Sequence, residues 1–405
     1  MECFLECAPG YAPNLPPKVS CVGGRYVPNK PSEFSCKEAA AVIISSEGEV
    51  ETFSADQKCN KMITNVPPHS IPKQTLNVFH NHLVVAGYSI KEGSWKYLSL
   101  EDASSSLLSS PWRVATTIGS PAPEAHISFT HGRSLVLVGG SQQGALKMDI
   151  QRIGGNWNSF SLPWANGTNF TSFTSNACGV KINKNEFLVI GGIDTAQNKV
   201  MSTIVKIDMK NELVEELPGL KVSRAFHACE LVNGKIILIT GGKSSTEEHT
   251  GEVVLDEQYN LEKEKSELST TSMKIPRYSH KLVLLGENVF ALGGRMANTS
   301  KATLVEWFDS ATSTWREHPG RLESHATGDL SIGSLARDSL DCVVGCSCGI
   351  EGPSAANRIT GNTAMAQVSP CGFLLYFTGG NVPLGRTDSW RRQRPSYCTV
   401  RIFSG

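Results

Sequence analysis

The chain has 405 residues, 38 basic against 38 acidic side chains, and 40% hydrophobic residues, the composition of an ordinary globular protein. A net charge of zero excludes the basic footprint that nucleic acid or an anionic membrane surface would demand. No run of 18 apolar residues is present to cross a bilayer as a helix. Of twelve cysteines, five fall in residues 1–59, five fall from Cys342 onward, and only Cys178 and Cys229 lie between. Clusters of this kind in short, loop-rich flanks read as disulfide staples formed in an oxidising compartment. A zinc site is the competing reading, but the spacings do not form two CxxC pairs with histidine partners. Three Asn-x-Ser/Thr tripeptides, at Asn166, Asn169 and Asn298, point to a secreted glycoprotein. The opening Met-Glu-Cys-Phe-Leu-Glu-Cys has neither a basic nor an apolar leader region, so the expectation is that the natural N-terminus lies upstream.

The first segment, residues 1–37, reads Cys7-Ala-Pro-Gly-Tyr11, Val19-Ser-Cys21, Gly24-Arg-Tyr26 and Phe34-Ser-Cys36. It resembles the later half of a sushi (complement control) module. That resemblance implies a Cys7–Cys36 disulfide and a second one between Cys3 and Cys21. A segment this short, with few apolar side chains, needs such staples to hold a shape.

From residue 38 the pattern changes to apolar runs that end in glycine: His82–Gly87, Leu135–Gly140, Phe187–Gly192, Ile236–Gly242 and Val289–Gly294. The closing glycines are separated by 53, 52, 50 and 52 residues. A fixed period near 50 marks a propeller of repeated four-stranded blades. Continuous β-prone runs suit strands covered on both faces, and paired glycines allow positive φ at the strand end. Hairpin turns are predicted at Asn233-Gly234 and Gly286-Glu287, and Trp112, Trp157 and Trp315 are expected to pack between blades. Ser223-Arg-Ala-Phe-His227 leads to Gly241-Gly242, and Pro276-Arg-Tyr-Ser-His280 leads to Gly293-Gly294. These units resemble kelch repeats. The resulting expectation is an all-β fold: a six-bladed, kelch-like β-propeller over residues 38–334. A C-terminal strand at 323–334 would complete a first blade built from Ala40–Ser46 and Glu49–Phe53. His126, His227, His280 and His325 recur at one repeat position and are read as structural donors within their own blades; no metal and no cofactor are expected.

The last segment, 335–405, is read as an irregular tail. It carries Cys346-Ser-Cys348-Gly, and then Arg358-Ile-Thr-Gly361, which resembles the activation junction of trypsin-like serine proteases. The resemblance implies processing at Arg358-Ile359. Asn362 stands where that family has a second glycine, no histidine follows His325, and only 44 residues follow Gly361. No Ser-His-Asp triad can be assembled from such a tail, which reads as a truncated or frame-shifted remnant.

The functional expectation is a secreted, non-catalytic binding or scaffold protein whose propeller loops recognise an extracellular protein or glycan. The candidate contact is the irregular loop 243–251, with Lys243, Glu247, Glu248 and His249, or else the opposite face built from tight turns. The alternative is the recognition region of a mosaic trypsin-like endopeptidase.

Overall fold

A computed structural model of the chain describes residues 2–4, 7–13, 18–22, 25–28, 36–44, 49–56, 61–65, 75–79, 82–89, 94–100, 112–118, 127–132, 134–139, 145–149, 158–159, 162–163, 174–245, 250–252, 255–296, 304–322, 331–336, 364–369, 372–377 and 401–404. The described residues are all β, turn or loop. They fall into two units, Met1–Asp341 and Cys342–Gly405.

The larger unit is a propeller-like arrangement of small antiparallel sheets. Four sheets carry the full repeat of four strands with a glycine after the second. Blade A holds Ile127–His131, Ser134–Val138, Ala145–Asp149 and Asn158–Ser159. Blade B holds Cys178–Lys181, Glu186–Ile190, Ile204–Asp208 and Leu213–Leu217. Blade C holds Ala228–Val232, Ile236–Thr240, Glu257–Asn260 and Lys265–Leu268. Blade D holds Lys281–Leu285, Asn288–Leu292, Leu304–Asp309 and Thr314–Arg321. In each, neighbours in sequence pair antiparallel.

The glycine period predicts six blades; among the described residues four have this form. Two further sheets depart from it for visible reasons. In the sheet of Thr75–Phe79, His82–Ser89, Ser94–Leu100 and Trp112–Ile118, Ala86 replaces the first glycine. The second strand therefore runs through Gly87 to Ser89 instead of stopping there. The other sheet has five strands drawn from both ends of the unit. Cys36–Ile44 pairs with Glu49–Phe53, which pairs with Lys61–Asn65, while Ser331–Ala336 runs antiparallel along the opposite edge of Cys36–Ile44.

The apolar runs are explained by alternation. Successive side chains of a strand point to opposite faces, and each second strand is covered on both. Phe187 and Val189 pack with Phe129, Val136 and Val138 of blade A. Leu188 and Ile190 pack with Ile237, Ile239 and Tyr259 of blade C. One strand over, Leu238 joins Val289, Ala291, Phe308 and Trp315 of blade D, so Trp315 does pack between blades. Phe290 and Leu292 turn the other way, onto Ala39, Ala41, Ile43 and Phe53 of the five-stranded sheet. Burial of whole strands between sheets is the main source of stability here.

The glycine doublets make the close approach possible. Gly241 and Gly242 have φ of +58° and +93°, and a Cβ on Gly241 would lie 2.2 Å from the Arg277 carbonyl oxygen. The predicted turn at Asn233-Gly234 has both residues at positive φ.

The N-terminal segment is tied to this unit. Cys7 and Cys36 form the disulfide that the sushi resemblance implies, with 5.6 Å between Cα atoms. Tyr11–Pro13 pairs with Cys36–Glu38, and the Gly10 carbonyl accepts from the N–H groups of Ala39 and Gly286, each at 3.0 Å. Cys3 and Cys21 lie on the paired strands Glu2–Phe4 and Lys18–Val22; their side chains lie outside the described residues. In the smaller unit, Ala364–Ser369, Gly372–Phe377 and Arg401–Ser404 form a three-stranded sheet. The tail is therefore not wholly irregular: Gly-Phe-Leu-Leu-Tyr-Phe is a strongly β-prone run.

A disulfide between blades lies outside the pairings that the flanking cysteines imply. Cys178 and Cys229, on the first strands of blades B and C, are bonded with 6.0 Å between Cα atoms. Their separation of 51 residues is one blade period, and that was the available signal. Replacing both cysteines with alanine should lower stability by about 2–4 kcal/mol, read as a drop in urea midpoint with the m-value unchanged. An unaltered midpoint would show that the staple adds nothing to the packing of blades B and C.

Candidate functional site

The loop after each doublet in blades B and C folds into a short two-stranded ribbon. In blade B, Ile193–Asp194 pairs with Lys199–Val200; in blade C, Lys243–Ser245 pairs with Thr250–Glu252. The two ribbons are neighbours through Lys199–Val200 and Lys243–Ser245. Each is anchored by an antiparallel bridge to the segment leading into its own blade, Ser175 to Ile193 and Ala225 to Lys243. The turn of the blade B ribbon is closed by the Asp194 carboxylate, which accepts from the N–H groups of Ala196 at 2.9 Å and Gln197 at 3.3 Å.

Of the residues singled out in loop 243–251, Lys243 is thus a ribbon residue. Its Nζ sits 3.9 Å from the ring centroid of Tyr278, in the segment leading to blade D. A cation over an aromatic face is held electrostatically, so Lys243 braces adjacent blades. Glu247, Glu248 and His249 lie outside the described residues. So do Asn166, Asn169, Asn298, Arg358, Ile359, His126 and His325.

The two described repeat histidines correct the sequence reading. His280 does not bond within its own blade: its ring Nε2 lies 2.7 Å from the Thr240 hydroxyl of blade C, one blade back. His227 sits at the matching place, its ring beside Gly191 of blade B. There Ile190 replaces Thr240, and neither ring nitrogen has a partner in ordinary geometry among the described residues; the Ile190 backbone is the group that favours its charged form. Burial holds both imidazoles well below their ordinary range, with Arg224 and Lys281 adding to the effect on His227, and Arg277 and Lys281 on His280. These are neutral packing residues between blades. No group of three or more His, Cys, Asp or Glu is placed to hold a metal among the described residues, and no helix among them is long and apolar enough to cross a membrane.

The residues that sequence reading missed are two buried ion pairs. The guanidinium of Arg224 lies 2.6 Å from the Glu257 carboxylate, and that of Arg277 lies 2.6 Å from Glu306, with the side chains 0–1% exposed. Arg224 also donates to the carbonyls of Gly241 and Leu255, and Arg277 donates to those of Gly293 and Leu304. The glutamates are satisfied in turn: Glu257 accepts from Lys221 N–H, Val222 N–H and Ser266 Oγ, and Glu306 from Lys274 N–H. The signal was the Arg of each Ser/Pro-Arg-x-x-His lead-in, followed by a Glu 33 and 29 residues on.

Glu230, on the first strand of blade C, is different. Burial pushes its carboxyl up to about 7, against the pull of hydrogen bonds from the Leu231 and Leu284 backbones. No protein-family model matches this chain, and no curated protein matches it either.

These groups set opposing pH dependences. Unfolded Glu230 loses its proton near 4.5 and folded Glu230 near 7, so its contribution to stability declines as pH rises through that interval. The histidines are neutral when folded and take up a proton below about 6.5 when unfolded, so their contribution is lost as pH falls below that value. Glu230→Gln should therefore gain stability relative to the parent between about pH 5 and about pH 8, measured by urea midpoints. An offset that stays constant with pH would contradict the assignment.

Proposed function

We propose that this chain is a secreted, non-catalytic binding protein built on a six-bladed, kelch-like ring, with the adjacent ribbons of blades B and C as its contact surface. The neighbour relations of the first strands support the ring. Thr75–Phe79 lies beside Ile127–His131, and the sequence continues through Cys178–Lys181, Ala228–Val232 and Lys281–Leu285 to Ser331–Ala336, which lies beside Thr75–Phe79 again. On this reading the two departing sheets are the remaining blades. Closure through Ser331–Ala336 removes open edges, which otherwise invite strand addition.

The observation that carries the binding role is the pair of ribbons. Short loops would suffice to connect strands two and three. Blades B and C instead build neighbouring ribbons braced by backbone bridges and by Lys243 on Tyr278. Loops held rigid on a scaffold are the usual sites of recognition, and Glu247, Glu248 and His249 of the same segment are residue types that offer charge and hydrogen bonds to a protein or glycan partner. The two disulfides among the described residues support an oxidising, extracellular setting, as do the sequons. The Cys348-Gly349 to Arg358-Ile359 spacing favours a second reading, in which these residues are the recognition region of a mosaic trypsin-like endopeptidase.

The test is binding of the purified chain to arrays of glycans and extracellular proteins, beside a variant in which 243–252 is a short Gly-Ser turn. A specific signal that falls by about tenfold or more in the variant is expected. A signal equal in both proteins would remove the ribbon from the interface, and no signal from either array would overturn the binding role. Expression behind a secretion leader should yield glycan-bearing Asn166, Asn169 and Asn298 by peptide mass spectrometry; three unmodified asparagines would count against secretion.

A further inference from the structure

Blade C turns from its first strand to its second through Asn233-Gly234, the one Asn-Gly step among the described residues. The turn lies at the end of the blade opposite the ribbon, because the ribbon follows the second strand. Asn233, Gly234 and Lys235 are exposed, and both residues of the step have left-handed backbone, with φ of +53° and +66°. One hydrogen bond closes the turn, from Lys235 N–H to the Val232 carbonyl at 3.2 Å. Neither the Asn233 carboxamide nor the Gly234 N–H has a partner among the described residues. A Cβ built on Gly234 would meet nothing within 4 Å, so no neighbour crowds the step.

Three other turn asparagines are held. The Asn183 side-chain oxygen accepts from Asn185 and Glu186 N–H, that of Asn260 accepts from Glu262 and Lys263 N–H, and the Asn211 carboxamide donates to Asp208. Asn198 is exposed and left-handed like Asn233, but Lys199 follows it. A side chain there shields the next nitrogen and restricts the backbone swing that glycine allows.

We propose that Asn233 is a self-modification site, at which the folded protein deamidates to aspartate and isoaspartate. The Gly234 nitrogen, its proton taken by hydroxide, attacks Cγ of Asn233. The N–Cγ bond forms, the Cγ–Nδ2 bond breaks, and Nδ2 leaves as ammonia with a proton from water. Water then opens the cyclic imide. Addition at Cγ gives aspartate; addition at the main-chain carbonyl carbon gives isoaspartate, with the chain routed through Cβ and Cγ. One water enters and one ammonia leaves, with no change of oxidation state. The attack needs the turn to open, and a single closing hydrogen bond at an exposed edge makes such openings frequent. Buried Val232 and Ile237 keep the strands paired meanwhile. The product places a new carboxylate next to Lys235, which pairs with Glu262 at 2.7 Å. In the isoaspartate form it also adds a methylene to the turn that sets the Val232–Ile236 register.

The test holds the intact chain at mildly alkaline and, in parallel, mildly acidic pH, followed by peptide mapping with electron-transfer fragmentation, which separates isoaspartate from aspartate. An unincubated sample sets what digestion alone produces, and a synthetic peptide of residues 228–240 gives the rate without the fold. Isoaspartate should accumulate at position 233 of the intact chain, faster in the alkaline sample. The rate should exceed those at Asn211 and Asn260 by about tenfold or more, since their side-chain hydrogen bonds must first break. It should also exceed that at Asn198, which lacks the glycine. An Asn233 that stays intact in the folded chain, whether or not the peptide reacts, would overturn the proposal. So would equal rates at Asn233 and Asn198, or aspartate formed without isoaspartate.

Discussion

Arg224 and Arg277 join blade to blade from both of their ends. The main-chain carbonyl of Arg224 accepts from Gly192 N–H of blade B at 2.8 Å, while its guanidinium reaches the Gly241 carbonyl, the Leu255 carbonyl and Glu257 of blade C. Arg277 repeats this one blade on, with Gly242 N–H at its carbonyl and Gly293, Leu304 and Glu306 at its guanidinium. An unexposed charge costs several kcal/mol unless it is paired and fully hydrogen-bonded. Here both guanidinium NH2 groups of Arg224 are paired, its Nε alone lacking a partner among the described residues, and Arg277 is bonded through all three nitrogens; each arrangement requires the doublet glycines to be where they are. A β-carbon on Gly191 or Gly241 would strike the same arginine carbonyl at 2.5 and 2.2 Å. Glycine pattern, arginine and glutamate are one device.

Blade B shows the device with its charges removed. Thr174 stands in the place of the arginine and donates through its hydroxyl to the Gly191 carbonyl at 2.5 Å. The register position held by Glu257 opposite Ile239, and by Glu306 opposite Ala291, is held in blade B by Val205 opposite Val189. Arginine and glutamate are absent together, as expected if each is tolerable in the interior only because of the other. The same economy applies to the histidines. His280 has Thr240 as a partner; His227 faces Ile190 and stays neutral by burial. What remains for function is a stiff body with short ribbons on its surface.

Much of this was written in period and pattern. The doublets at 191–192, 241–242 and 293–294 located three blades, because only glycine accepts the left-handed backbone that the close approach demands. The apolar runs between them told of burial on both faces. Sequence was a poorer guide where a contact crosses blades. Thr240 and His280 lie 40 residues apart, Cys178 and Cys229 lie 51 apart, and neither pair has a local motif. The ribbons were hidden for a different reason: Lys243–Ser245 has no alternation to read, and its backbone pairs with Thr250–Glu252 and bridges to Ala225 without a local motif. Ala86 marked where the pattern would loosen, and the strand there does run on past the glycine.

The central claim is that buried arginine–glutamate pairs, and not apolar packing alone, join successive blades. A double-mutant cycle on Arg224→Met and Glu257→Leu, read from urea unfolding, tests it directly. Each single change leaves one charge buried without its partner and should cost about 3–5 kcal/mol, while the double variant should cost far less than their sum, leaving a coupling of about 2 kcal/mol or more. Additive losses with a coupling near zero would contradict the account.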